Sequence, residues 1–339
     1  MKVAIGQRIQ DGPWGGGNQF VRSLAETLRN RGDDVRFDLA DADIDIIVLT
    51  DPRELSPSVS FGAGGILRYL LFRNPRALVV HRINECDERK GTRRMNSLLR
   101  RANYCADHTI FIATWLRNLS LWRRTTPDTV ILNGADKNIF NRTFFRRWDG
   151  LEPLRLVTHH WGGNRMKGFD VYESIDQMLA DEKWKGRIEF TYIGNLPAGF
   201  SFTNTKYLPP MQGSLLAREL SSHHAYITAS INEPAGMHHV EGAMCGLPLL
   251  YRRSGALPEY CEGFGISFDA TDFEACLEQL IEQYDALEVK MPAYPHTAER
   301  SCENYLTLFD KLIKSRENIL TSRSLWRSVW LLLRNQIPL

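Results

Sequence analysis

Two carboxylates eight residues apart, Glu233 and Glu241, flank a Pro-Ala-Gly turn in the stretch Ile231-Asn-Glu-Pro-Ala-Gly-Met-His-His-Val-Glu-Gly-Ala-Met-Cys-Gly-Leu-Pro248. Pro234 and Gly236 end an apolar strand and open a helix, and the first N–H groups of a helix are free to hold an anion. Glu241 falls about a turn and a half into that helix. A ligand with phosphates at the helix start and hydroxyls against the two carboxylates suits this arrangement, and a sugar nucleotide has that form. Solvated helix faces also carry such pairs, so spacing alone leaves both readings open.

Three further places could do chemistry. Lys167-Gly168 closes the polar loop His159-His-Trp-Gly-Gly-Asn-Arg-Met and puts a cation after an apolar strand. Gly15, Gly16 and Gly17 follow the first strand and precede a helical run through Phe20, Leu24 and Leu28. A glycine loop of this kind lets the backbone approach a ligand closely, although Gly-x-Gly-x-x-Gly is absent and a flexible turn is the plainer reading. His81 closes the apolar run from Ala77, and ligands collect at the carboxyl ends of strands in open α/β sheets. An internally hydrogen-bonded histidine is the structural alternative there.

The elements that must position these groups alternate along the chain. Short apolar strands at 2–6, 44–49, 77–81, 108–113, 154–158, 189–194, 225–230 and 249–251 are separated by helical runs, the pattern of parallel, doubly wound sheets. At 339 residues the chain is long enough for two such domains.

The longer pattern Glu-Pro-x-Gly-x4-Glu-Gly-Ala-Met-x-Gly-Leu-Pro, followed by Gly255 and Pro258-Glu259, resembles the donor-site signature of the retaining family-four glycosyltransferases (glycosyl transferases group 1). Thr129-Val-Ile-Leu-Asn-Gly-Ala-Asp136 with Phe140 is similar to the segment that ends the first domain in that family. Lys167-Gly168 match its Gly-Arg-Leu-x3-Lys-Gly, but the arginine's place holds Gly162.

The resemblance implies the α/β GT-B fold, two Rossmann-like doubly wound parallel-sheet domains facing a cleft. Residues 1–145 would form the acceptor domain and 151–318 the nucleotide-sugar domain, with 141–153 as linker. It further implies a catalytic set of Glu233, Lys167 and His81, with Glu233 orienting the transferred sugar, Lys167 holding the diphosphate and His81 touching the sugar. Glu241 would hold the ribose, Gly236 and Met237 the donor at the helix start, Gly16 and Gly17 the cleft-facing loop, and Tyr207 the nucleobase. Arg165 is the candidate to replace the missing arginine from a shifted position. The implied activity is hexosyl transfer with retention, using a nucleotide sugar as co-substrate, UDP- or GDP-linked, and no metal or other cofactor. The acceptor would be a saccharide or glycolipid. A non-catalytic nucleotide-sugar or partner-binding protein on the same fold, or a sugar-nucleotide epimerase, are the alternatives.

Composition bounds these readings. Hydrophobic residues make up 43% and charged residues 24%, as in globular proteins. The net charge of +2 gives no global argument for nucleic acid, and no aromatic ladder supports one. Between Arg82 and Arg124, ten basic residues face four acidic ones, a local excess suited to an anionic acceptor or a membrane surface. Asp41-Ala-Asp43 and Asp43-Ile-Asp45 have metal-site spacing but read as surface charges.

Six scattered cysteines, without a Cys-x-x-Cys pair, suggest neither a disulfide framework nor a zinc site. No stretch approaches the ~18 apolar residues of a membrane span, and the expected location is cytoplasmic, extending to the inner face of the membrane. Leu325, Trp326, Val329, Trp330, Leu333 and Ile337 share one helical face. A helix of about 320–339 is therefore expected either to pack back on the first domain or to lie on a membrane surface.

Overall fold

A computed structural model describes residues 1–10, 12 and 15–323, which form two compact units. Among these residues, unit 1 contains 1–10, 17–132 and 299–323, and unit 2 contains 12, 15, 16 and 133–298.

Unit 1 is built on six strands: β1 (Lys2–Ile5), β2 (Asp34–Arg36), β3 (Ile46–Leu49), β4 (Leu78–Ile83), β5 (His108–Phe111) and β6 (Asp128–Val130). They lie in the order β2-β1-β3-β4-β5-β6, and every neighbouring pair is parallel. β3 and β4 are buried along their whole length, as expected for a parallel sheet covered on both faces. One face packs on the helix Gly16–Asn30 through Phe20, Leu24 and Leu28, the other on the helix Ala63–Phe72 through Ile66, Leu67 and Leu70.

The chain returns to unit 1 at its end. Cys302, Tyr305, Phe309 and Leu312 of the helix Ala298–Lys314 complete the same core as Phe20 and Leu24. Arg82, buried, lays its guanidinium 3.9 Å from the Phe20 ring centroid and donates from Nε to the Tyr305 hydroxyl at 3.1 Å. Farther on, Arg323 donates to Asp107 and to the carbonyls of Pro75 and Ala77. Residues 299–318, expected in the second domain, therefore belong to unit 1, because their apolar face is the missing side of its core. The stripe from Leu325 to Ile337 lies outside the described residues.

Unit 2 carries β7 (Leu154–His160), β8 (Ile188–Gly194), β9 (Lys206–Leu208), β10 (Ala225–Thr228), β11 (Leu249–Arg252) and β12 (Gly265–Phe268). Their order is β12-β11-β10-β7-β8-β9, all parallel. Counted from its own first strand this is 3-2-1-4-5-6 read from the far edge, and the direction of winding reverses between β7 and β10. In open α/β sheets that reversal leaves a crevice at the strands' carboxyl ends, where ligands bind.

Unit 2 begins before the expected boundary at 151. Phe140 is buried, Arg142 pairs with Glu288, and the Trp148 amide donates to the Tyr284 hydroxyl at 3.2 Å. The polar stretch 141–153 is thus held to the unit by specific contacts.

One carboxylate organises the approach to β9. Asp176, on the helix Phe169–Met178, accepts the backbone N–H groups of Thr203, Asn204 and Thr205 at 2.7–2.9 Å. Burial opposes ionisation, yet these bonds hold its carboxyl below the usual carboxylate range. Asp176→Asn replaces an all-acceptor group with one that presents N–H to N–H, and is expected to cost about 2–3 kcal/mol. The urea midpoint, with its slope unchanged, measures this loss.

No helix among the described residues is long and apolar enough to cross a membrane. All six cysteines are free and buried, and burial pushes the Cys86, Cys105 and Cys245 thiols up to about 12.

Candidate donor site in unit 2

The winding reversal brings two chain segments together. β7 ends in Thr158-His159-His160 and leads to a short 3-10 turn, Arg165–Lys167. β10 leads through Ala229 and Ser230 to the turn 231–237 and the helix His238–Met244, which is only seven residues long. The two are tied by the Ile231 amide donating to the Met166 carbonyl at 2.8 Å. A side chain on Gly168 would place its Cβ 2.4 Å from the Ala229 backbone, so the left-handed Gly168 (φ +97°) permits this approach.

The turn is strained. Asn232 (φ 51°) and Ala235 (φ 145°) sit in regions that cost non-glycine residues of order 1–3 kcal/mol each. The surroundings hold them there. The Asn232 amide donates to Ser254 Oγ at 2.9 Å, and the Ala256 amide to the Glu233 carbonyl at 2.8 Å. Gly255 lies so close that a Cβ on it would be 2.5 Å from the Glu233 backbone.

The result is a buried ion pair: Lys167 Nζ donates to Glu233 Oε2 at 2.6 Å. Gly236 is next to it, where a Cβ would stand 2.4 Å from His238 Nδ1 and 3.1 Å from Glu233 Cδ. Glu241, also buried, holds His159 Nε2 at 2.7 Å across the reversal. Met237, nearly buried, precedes the helix.

The rest of this region is filled by histidines. His160 Nε2 meets the Tyr172 hydroxyl at 2.8 Å, and His238 Nε2 meets Thr228 Oγ1 at 2.7 Å. The His160 and His238 rings are 4.5 Å apart, and those of His238 and His239 4.9 Å. Burial, reinforced by Lys167 and the neighbouring imidazoles, holds His160 and His238 well below the ordinary histidine value, and burial takes His239 down to about 3. These rings are neutral at pH 7, so Lys167 carries the group's positive charge.

The expected site residues therefore divide. Glu233, Lys167, Gly236, Met237 and Glu241 come together at the reversal. Arg165 points outward, exposed, its guanidinium 5.9 Å from the Phe200 ring centroid. A Cβ on Gly162 would be 3.6 Å from Lys167 Cε, so the arginine's place in the resembling pattern is beside the lysine. Tyr207 is 45% exposed on the edge strand β9, two strands from β7. Gly16 and Gly17 open the helix Gly16–Asn30.

His81 does not close its strand. β4 continues to Ile83, and His81 is fully buried in unit 1, with Nδ1 3.1 Å from Asn103 Nδ2, which also donates to Thr109 Oγ1 at 2.8 Å. Burial lowers its imidazole to about 3. The ring is held through Nδ1 by Asn103, while its buried Nε2 has no hydrogen-bond partner among the described residues. Sequence reasoning missed His159, Tyr226 and His238; the His159-His160 dipeptide at a strand end was the available signal. No group of three or more histidine, cysteine, aspartate or glutamate side chains among the described residues is arranged to hold a metal.

No protein-family model matches the chain, and no curated sequence matches it significantly. Its structure is similar to that of sucrose-phosphate synthase from Thermosynechococcus elongatus, at 14% identity and TM-score 0.64, covering 93% of this chain and 99% of that one. It is similar also to Anabaena HepE in complex with UDP and glucose, at 12% identity and TM-score 0.62, covering 91% and 99%. A third likeness is to the catalytic domain of starch synthase IV from Arabidopsis thaliana bound to ADP and acarbose, at 14% identity and TM-score 0.59, covering 89% and 79%. These neighbours are GT-B glycosyltransferases. The chain has the same GT-B fold, two Rossmann-like units each on a six-stranded parallel sheet.

Proposed function

We propose that the chain is a retaining glycosyltransferase that moves a hexosyl group from a nucleotide sugar to a hydroxyl of a saccharide or lipid-linked acceptor without a metal. The observation that carries this reading is the convergence of Lys167, Glu233 and Glu241 at the winding reversal of unit 2. Lys167 pairs with the departing diphosphate, the charge that most needs stabilising. Glu233 accepts from hydroxyls of the transferred sugar, and Glu241 from the ribose. Transfer on one face balances simply: the anomeric C–O bond breaks with its electron pair going to the diphosphate, the acceptor oxygen bonds to the same face, and its proton passes to a leaving phosphate oxygen. A UDP-sugar is the first donor to try, since UDP and glucose occupy the HepE neighbour. The basic stretch of unit 1 suits an anionic or lipid-linked acceptor at the cytoplasmic face of a membrane.

Incubation with UDP-, GDP- and ADP-sugars and a panel of glycoside and polyprenyl-phosphate acceptors is expected to release nucleoside diphosphate with one donor, dependent on acceptor and unchanged by EDTA. Product without acceptor would identify an epimerase. Gly162 in the arginine's place favours a second reading, a nucleotide-sugar-binding protein without turnover, which would bind donor by calorimetry and release nothing.

A further inference from the structure

We infer that His159 is a positioning residue for Glu241, turning that carboxylate so that one oxygen alone faces the ribose. The inference rests on the nucleotide-sugar reading of the site and adds to it a group on the opposite strand.

The geometry fixes the proton. The His159 backbone N–H donates to the Tyr226 hydroxyl at 3.0 Å, so that hydroxyl keeps its own proton to give. Burial holds the phenol protonated, well above its ordinary value. It lies 3.1 Å from His159 Nδ1, closer than the His159 carbonyl at 3.4 Å. With Nδ1 accepting, the ring proton is on Nε2, aimed at Glu241 Oε2 at 2.7 Å. Tyr226, His159 and Glu241 thus form a directed chain, with Tyr226 fully buried and the other two nearly so. A carboxylate held by one oxygen is restrained about its terminal torsion, which favours one direction for its second oxygen. A pre-set acceptor discriminates for a hydroxyl by avoiding the entropy of orienting it after binding.

The test is calorimetric binding of UDP, GDP and ADP, each against its 2′-deoxy form, to full-length wild type, His159→Ala and His159→Gln. Wild type is expected to prefer the ribonucleotide. His159→Ala should weaken the ribonucleotide by roughly tenfold while leaving the 2′-deoxy form within about twofold. His159→Gln, whose amide N–H reaches toward the same oxygen, should recover most of the preference. In turnover, KM for the donor rises and kcat stays. If His159→Ala does not fold, Tyr226→Phe makes the same test by removing the proton that directs the ring, and should halve the preference or more.

Equal weakening of both nucleotide forms, or an unchanged preference in both His159→Ala and Tyr226→Phe, would overturn the inference while leaving the nucleotide-sugar site standing. Absence of any nucleoside diphosphate binding to wild type would overturn the site reading itself, and this role with it.

Discussion

Lys167→Met is expected to lower turnover by about 10²–10³-fold and folding stability by about 3–5 kcal/mol. Both effects have one origin. The ammonium lies 2.6 Å from Glu233 Oε2, with both side chains buried, so its removal leaves the carboxylate in a low-dielectric region without that cation. It also removes the charge proposed to meet the diphosphate. The two losses separate in the double variant Lys167→Met/Glu233→Gln, in which the buried charge is gone. Most of the stability should return, read as a melting temperature within a few degrees of wild type, while nucleoside diphosphate release stays low. Wild-type turnover in the single variant would remove Lys167 from the mechanism.

Acid is expected to unfold the protein between pH 6 and 4, beginning with unit 2. Burial lowers seven imidazoles: His81 and His239 to about 3, His108, His223 and His224 to about 4, and His160 and His238 well below 6.5. Above pH 6.5 neither the folded nor the unfolded chain protonates them, and stability is at its plateau. As pH falls below 6.5 the unfolded chain takes up protons that the folded one refuses, so stability drops by about 1.4 kcal/mol per pH unit for each such histidine. Three acting together remove about 4 kcal/mol per unit, against a total of roughly 5–15 kcal/mol for a domain. Five of the seven belong to unit 2 and two to unit 1. Circular dichroism and tryptophan fluorescence should therefore show a first transition near pH 5. Native signals down to pH 4 would contradict this account.

The fold and half of the site are local patterns. Parallel strands buried on both faces, such as Ile46–Leu49, are continuous apolar runs, and alternation with helices leaves few ways to wind them. Glu233, Gly236 and Glu241 stand within one turn and one short helix, so their spacing survives folding. The His159–Glu241 bond spans 82 positions, and no pattern in the sequence links its ends. Arg82 was misleading for a related reason. It reads as the first charge of a basic stretch, yet the Phe20 ring and the Tyr305 hydroxyl, one early and one late in the chain, make a buried seat for it. The same distance hides the domain boundary. Tyr305 and Phe309 look like one face of any amphipathic helix until the core they complete is known.

The return of the chain to unit 1 bears on the order of events during synthesis. Unit 2 is an insertion whose two ends are stitched side by side: the Ala135 amide donates to the His296 carbonyl at 3.1 Å and the Ala298 amide to the Ala135 carbonyl at 2.8 Å. It has every strand it needs once Ala298 has left the ribosome. Unit 1, although it holds the first residue translated, cannot close its core until the helix carrying Tyr305 and Phe309 follows. The nascent chain must therefore keep all six strands of the unit 1 sheet waiting with one face incompletely covered, and the later half of the message completes its domain before the earlier half.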